Sequence, residues 1–152
     1  MNGLDDLYQE ILLDHYRSPR NFGPLPGHDH EAEGHNPLCG DRVRVEVRLD
    51  GDRLAAVRFE GSGCAISTAS ASMMTEMVSG KTREETDRLF ERFRALVTGE
   101  GDSGPIEELG ELAALGGVRE FPMRVKCATL AWHTLRAALD RSGASVSTEK
   151  QS

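Results

Sequence analysis

Positive charge is in short supply in this sequence. Lys and Arg total 18 against 25 Asp and Glu, for a net charge of −7. A protein that grips nucleic acid carries a basic patch or stripe to meet the phosphates, and none can be drawn here. Long apolar runs are missing as well. The best tract, residues 128–139, is broken by Thr129, His133, Thr134 and Arg136, so no window is a candidate membrane span. The opening Met1-Asn2-Gly3-Leu4-Asp5-Asp6 is acidic and carries no secretory apolar core, which makes the cytoplasm the expected location. With only three cysteines, an odd number, a closed disulfide framework is excluded. The close C-x-x-C pairs of structural zinc modules are absent, and so are a G-x-S-x-G elbow and a P-loop. No period of repeats runs through the chain.

What is present fits one domain. A chain of 152 residues can bury a real core. The expected division is a single unit over residues 1–142 and a polar, disordered tail over 143–152. Leu4, Leu7, Tyr8, Ile11 and Leu12 recur at helical spacing over residues 4–17, and Ser18-Pro19 ends that run. His15, near its end, reads as a cap or a surface residue. The loop over residues 23–40 holds His28, His30 and His35; the first two read as solvated, and His35 is a reserve ligand or base because of its nearness to Cys39. A short edge strand fits residues 30–34. Val43, Val45, Val47 and Leu49 then alternate with Arg42, Arg44, Glu46 and Arg48, a strand with one wet face. Asp50-Gly51-Asp52 turns it back into Ala55, Val57 and Phe59. The expected class is α+β: a small antiparallel sheet of about three strands with helices on one face.

Three further helices follow. Ile66, Ala69, Met73 and Met77 give an apolar stripe behind Cys64. Thr82-Arg83-Glu84-Glu85 is a capping box for the second. After a Gly-rich acidic connection, Pro105 opens a short helix that Gly116-Gly117 should stop, and Cys127 falls in the first turn of a long last helix.

The cysteines carry the chemistry. Free Cys is often a small buried hydrophobe, so an inert adaptor with packing cysteines is one reading. The hairpin argues for another. It brings Asp41, at the start of its first strand, beside Cys64, just past the end of its second, and Cys39 is next to Asp41. Cys64 at a helix N-terminus is placed to be a thiolate, and Cys127, near Arg124 and Lys126, is expected to have its pKa lowered too. Thiolates gathered in an apolar setting repel, and a cation resolves that. Three sulfurs with one carboxylate suit tetrahedral zinc, or iron in a cluster. A metal-free cysteine acyl transferase, with His35 as base, is a remote third reading.

Asn-Pro-x-Cys-Gly-Asp at 36–41, Gly-x-Gly-Cys-Ala-Ile-Ser at 61–67, Arg-x-x-Cys at 124–127 and the Leu-Tyr-x-x-Ile-Leu-x-x-His-Tyr opening over residues 7–23 resemble the IscU/SufU (NifU N-terminal-like) family of iron–sulfur cluster assembly proteins. The resemblance covers nearly the whole chain. It implies that Cys39, Asp41, Cys64 and Cys127 are the site residues. Two departures point to the SufU branch. Lys126 stands where the scaffold branch has His before the third cysteine, and Phe121-Pro122-Met123-Arg124-Val125 replaces its Leu-Pro-Pro-Val-Lys chaperone motif. Residues 98–117 look like the extra segment of the SufU branch. That branch implies a zinc-dependent sulfurtransferase fed by a SufS-like cysteine desulfurase and passing sulfur to downstream assembly proteins. Cys39, on irregular backbone, is the expected sulfur acceptor, with Arg124 in support. The alternative is a scaffold holding a [2Fe–2S] cluster or Fe²⁺ on the same residues.

Overall fold

The strict alternation over residues 41–50 sets the architecture. Period-two burial forces those residues into a strand whose Val43, Val45 and Val47 face a core, and the main apolar cluster packs on that side. The computed structural model describes residues 3–140 and 146–147. In chain order these form α1 (Gly3–Arg17), β1 (His30–Asn36), β2 (Asp41–Asp50), β3 (Arg53–Ser62), α2 (Ala65–Val78), α3 (Arg83–Thr98), a 3₁₀ segment (Ile106–Glu120), α4 (Pro122–Leu139) and β4 (Val146–Ser147).

β1, β2 and β3 make the antiparallel three-stranded sheet, with β2 in the middle. Two residues of β4 extend it in parallel beside Gly34 and His35. The remainder of the expected tail lies outside the described residues. α4 packs across β1 and β2, α2 packs on β3 and α4, and α1, α3 and the 3₁₀ segment form the layer beyond. The core joins Val45, Val47, Leu54 and Val57 of the sheet to Met73, Met74, Leu130 and Leu135 of the helices. Trp132 stacks between Phe90 and Phe93, at 5.7 and 4.9 Å, and locks α3 to α4. Gly34 is needed where α4 crosses β1: a Cβ there would strike the Thr134 hydroxyl.

Three boundaries depart from the sequence reading. β1 runs on to Asn36, because its buried phase (Ala32, Gly34, Asn36) continues to the turn. The segment after Pro105 is 3₁₀ and passes through Gly116-Gly117 to Glu120. Gly110 takes a non-helical conformation inside it, and Gly116 sits close against Leu96, where a side chain would crowd α3. Gly116 therefore serves close packing, and the pair does not end the segment. α4 begins at Pro122, which needs no N–H partner at a helix start, so Cys127 lies beyond the first turn. The capping box of α3 is complete: Glu85 N–H donates to the Thr82 hydroxyl, and Thr82 N–H donates to the Glu85 carboxylate.

Candidate metal centre

The site lies at the sheet end where β1 turns into β2. Asn36 and Asp41 are cross-strand partners that close a turn over residues 37–40. The Asn36 carbonyl accepts from Cys39 N–H (3.3 Å) and Gly40 N–H (2.8 Å), and Gly40 adopts the positive φ the turn demands. Asp41 is in the core-facing phase of β2 and fully buried. One of its oxygens accepts from the Cys64 backbone N–H at 2.8 Å, and the other lies 3.7 Å from the Cys64 sulfur. Gly63 has no side chain because a Cβ would meet the Asp41 carboxylate. Cys64 caps α2, its sulfur accepting from Ser67 N–H at 3.4 Å. α4 brings the buried Cys127 sulfur to 3.6 Å from that of Cys39.

Cys39, Asp41 and Cys127 each offer a ligand atom, all within 4.8 Å of one another, and Cys64 joins them through Asp41. Zn–S bonds of about 2.3 Å in a tetrahedron put sulfurs about 3.8 Å apart. The 3.6 Å between the Cys39 and Cys127 sulfurs therefore fits two thiolates on one small tetrahedral cation. Thiols are weak donors, and a sulfur meeting a sulfur is poor compensation for burial.

Without a cation the charges divide unevenly. Cys64 is lowered to about 7, chiefly because it accepts the Cys127 thiol proton, with the Ser67 and Ile66 N–H groups assisting against burial and Asp41. Cys127 is raised, first by donating that proton and then by burial and Asp41. The expectation of a lowered Cys127 fails because this cysteine lies beyond the first turn of its helix, and buried carboxylate and thiolate outweigh Arg124 and Lys126. Cys39 is the exposed member. Arg124 lays its guanidinium over the Phe121 ring at 4.6 Å.

The histidines sort differently from the sequence reading. His15 is fully buried, not a surface residue. Its Nδ1 meets the Ser72 hydroxyl at 2.8 Å, and its Nε2 meets Glu111 at 3.0 Å and Glu76 at 3.9 Å. His35 pairs with Arg42 and projects on the outer face of β1, opposite the phase that carries Asn36. His28 is raised by its bond to Glu31 and lies with Glu46, which Arg44 neutralises. His30 begins β1. The groups His15/Glu76/Glu111 and His28/Glu31/Glu46 are also close enough to share an ion, but both already hold their own hydrogen bonds and ion pairs.

One participant escaped the sequence reading. Asn36 is fully buried, and its Nδ2 donates to the Cys127 sulfur at 3.6 Å. The signal was available: a polar residue in the buried phase of a strand, after Ala32 and Gly34, needs a partner inside.

A family model described as the NifU-like N-terminal domain matches residues 7–141. The chain belongs to that family. This NifU-like domain is 45% identical over 132 residues to a Bacillus subtilis protein named zinc-dependent sulfurtransferase SufU, covering 87% of this chain and 88% of that one. It is 42% identical to the iron–sulfur cluster assembly scaffold protein IscU of Streptococcus pyogenes, over 93% of this chain and 88% of the relative. A solved structure from Fervidobacterium islandicum, described as an iron–sulfur cluster assembly scaffold protein for the SUF system (SufU), superposes with a TM-score of 0.81 at 35% identity, covering 90% of this chain and 99% of that one. Among the described residues, no helix of this NifU-like domain is long and apolar enough to cross a membrane.

Proposed function

We propose that this protein is a zinc-dependent sulfur acceptor, taking persulfide sulfur from a cysteine desulfurase for iron–sulfur cluster assembly. Cys39, Asp41, Cys64 and Cys127 would hold the metal. The observation that carries the reading is the gathering of the Cys39 and Cys127 sulfurs with the buried Asp41 carboxylate, all within 4.8 Å, with the Cys64 sulfur 3.7 Å from that carboxylate and Cys39 on an exposed turn. The name and identity of the Bacillus subtilis relative support the same activity, and Lys126 in place of a scaffold histidine points the same way.

Bound zinc supplies the charge that keeps the thiols deprotonated and masked. Cys64 and Cys127 hang on α2 and α4 and stay in place. Cys39 can swing out by rotation of its side chain while the turn keeps its backbone bonds to Asn36. Its thiolate attacks the terminal sulfur of the desulfurase persulfide. A new S–S bond forms on Cys39, the old S–S bond breaks, and the desulfurase cysteine leaves as thiolate, with no net electron change. Exposed Leu38, Phe121 and Met123, at 56, 47 and 42% relative exposure, offer an apolar rim for that partner. Arg124 beside Phe121 would receive its acidic groups or the freed thiolate.

The likeness to the Streptococcus pyogenes scaffold favours a second reading, in which the same residues hold a [2Fe–2S] cluster as cargo. Metal and sulfide analysis after anaerobic purification separates the two. One zinc without sulfide is the expected result; iron with equal sulfide favours the scaffold. Peptide mapping after incubation with desulfurase and cysteine should place the added sulfur on Cys39, and Cys39→Ala should keep much of its zinc while losing that sulfur. Persulfide on Cys64 or Cys127 with Cys39 unmodified would overturn the assignment.

A further inference from the structure

The three sulfurs of the site are not equally supported. Cys64 receives the Ser67 N–H, and Cys127 receives the Asn36 side-chain amide at 3.6 Å. Among the described residues, the Cys39 sulfur meets the Cys127 thiol at 3.6 Å and no N–H group. Asn36 uses its remaining polar groups on the Cys39 turn. Its Oδ1 accepts from Leu38 N–H at 3.2 Å, and its carbonyl accepts from Cys39 and Gly40. It is fully buried, so these bonds have no water to compete with them.

We propose that Asn36 is a positioning residue whose amide clamps the Cys127 sulfur and the Cys39 turn into one unit, holding Cys127 as a fixed ligand and leaving Cys39 as the labile one. The inference rests on the metal-site reading above. An N–H directed at a ligating sulfur spreads its negative charge and fixes its lone pairs, which strengthens retention and blunts nucleophilicity. A ligating sulfur that receives no N–H is held less firmly and stays the more open to reaction. Cys39 is also the exposed sulfur, so lability and access coincide in one residue. Because Asn36 holds the turn by its backbone, movement is confined to the Cys39 side chain.

The direct test needs no variant. In ¹⁵N-labelled protein loaded with ¹¹³Cd, the side-chain amide proton of Asn36 should show a scalar correlation to cadmium through the Cys127 sulfur. A resolved Asn36 amide with no such correlation overturns the proposal. Asn36→Asp supplies a second test, since it keeps the shape and the acceptor for Leu38 N–H but turns a carboxylate onto the sulfur. Competition against a chromophoric chelator should show zinc held roughly 10- to 100-fold more weakly, and the thiolate-to-metal charge-transfer band of the Co²⁺ form should move to lower energy. A folded Asn36→Asp protein with unchanged zinc affinity and an unmoved band also overturns it. A merely structural asparagine would change the melting temperature without moving the band. Wild-type protein that takes up neither zinc nor cadmium fails the metal-site reading itself, and the inference with it. Wild-type protein that binds metal but accepts no sulfur from a desulfurase fails the proposed function, with the cadmium correlation still deciding the role of Asn36.

Discussion

Two buried polar clusters, one around His15 and one around Cys127, are assembled in the same way and end in opposite conditions. Each draws side chains from three elements. In the first, α1, α2 and the 3₁₀ segment bring His15, Ser72 and Glu111 together, and both imidazole nitrogens find good partners at 2.8 and 3.0 Å. The Ser72 hydroxyl also accepts Arg20 N–H at 2.8 Å, tying down the chain after α1. In the second, sulfur meets sulfur at 3.6 Å and sulfur meets carboxylate at 3.7 Å. Buried polarity alone therefore does not mark a working site. The mark is demand left over after the fold's own hydrogen bonds are counted.

Metal removal should break the comparison most sharply. With zinc at a thousandfold over its dissociation constant, binding adds about 4 kcal/mol of stability. At roughly 2–4 °C per kcal/mol for a chain of this size, a strong chelator should lower the melting temperature by roughly 10 °C. Cys64→Ala should remove most of that response, and His15→Ala should leave it intact. A melting temperature indifferent to the chelator would sink the metal-site reading.

His15→Ala tests the other cluster. Losing a buried ring and two hydrogen bonds should cost about 3 kcal/mol, read by urea unfolding, while bound zinc stays at the wild-type level. If zinc is lost together with stability, the two clusters are one cooperative unit and the contrast fails.

A smaller effect comes from His133, which packs edge-on to Phe90 at 5.1 Å between ring centroids. Burial pushes it from an ordinary 6.5 down to about 4, with Arg136 and Arg94 adding to the shift. The unfolded chain thus takes up this proton before the folded one does. The stabilisation from neutral His133 is complete above pH 6.5 and fades as pH falls toward 4. In metal-stripped protein, His133→Gln should lose less stability than wild type between pH 7 and pH 5. Parallel losses in urea unfolding would show that another group controls that limb.

Most of the scaffold could be read from local patterns, because its elements follow local rules. The alternation through Val43, Val45 and Val47, the turn at Gly51 and the Thr82 box each confine their consequences to a few residues. The hairpin even predicts that Asp41 and Cys64 meet. What stayed hidden depends on distant neighbours. His15 reads as a helix-end cap until Ser72 and Glu111 arrive from elsewhere in the chain. Gly116 looks like part of a stop until Leu96 is seen to need the space. The raised thiol of Cys127 follows from Cys64 and Asp41, and neither is local to α4. For the same reason Asn36, quoted within a motif, carries no visible role until the Cys127 sulfur is placed beside it.

Gly34 acts as the fulcrum of this arrangement. α4 rests on the bare backbone of β1 at that point, against Thr134, and the same helix carries Cys127 about two turns away, roughly 10 Å along its axis. A methyl group at position 34 would lift the far arm of α4 and tilt the near one, changing the gauge between Cys127 and the turn that bears Cys39. A metal held between them would then feel the change at a residue that offers no ligand. The spacing of two candidate ligands is thus set in part where a helix lies against a strand, inside the apolar core.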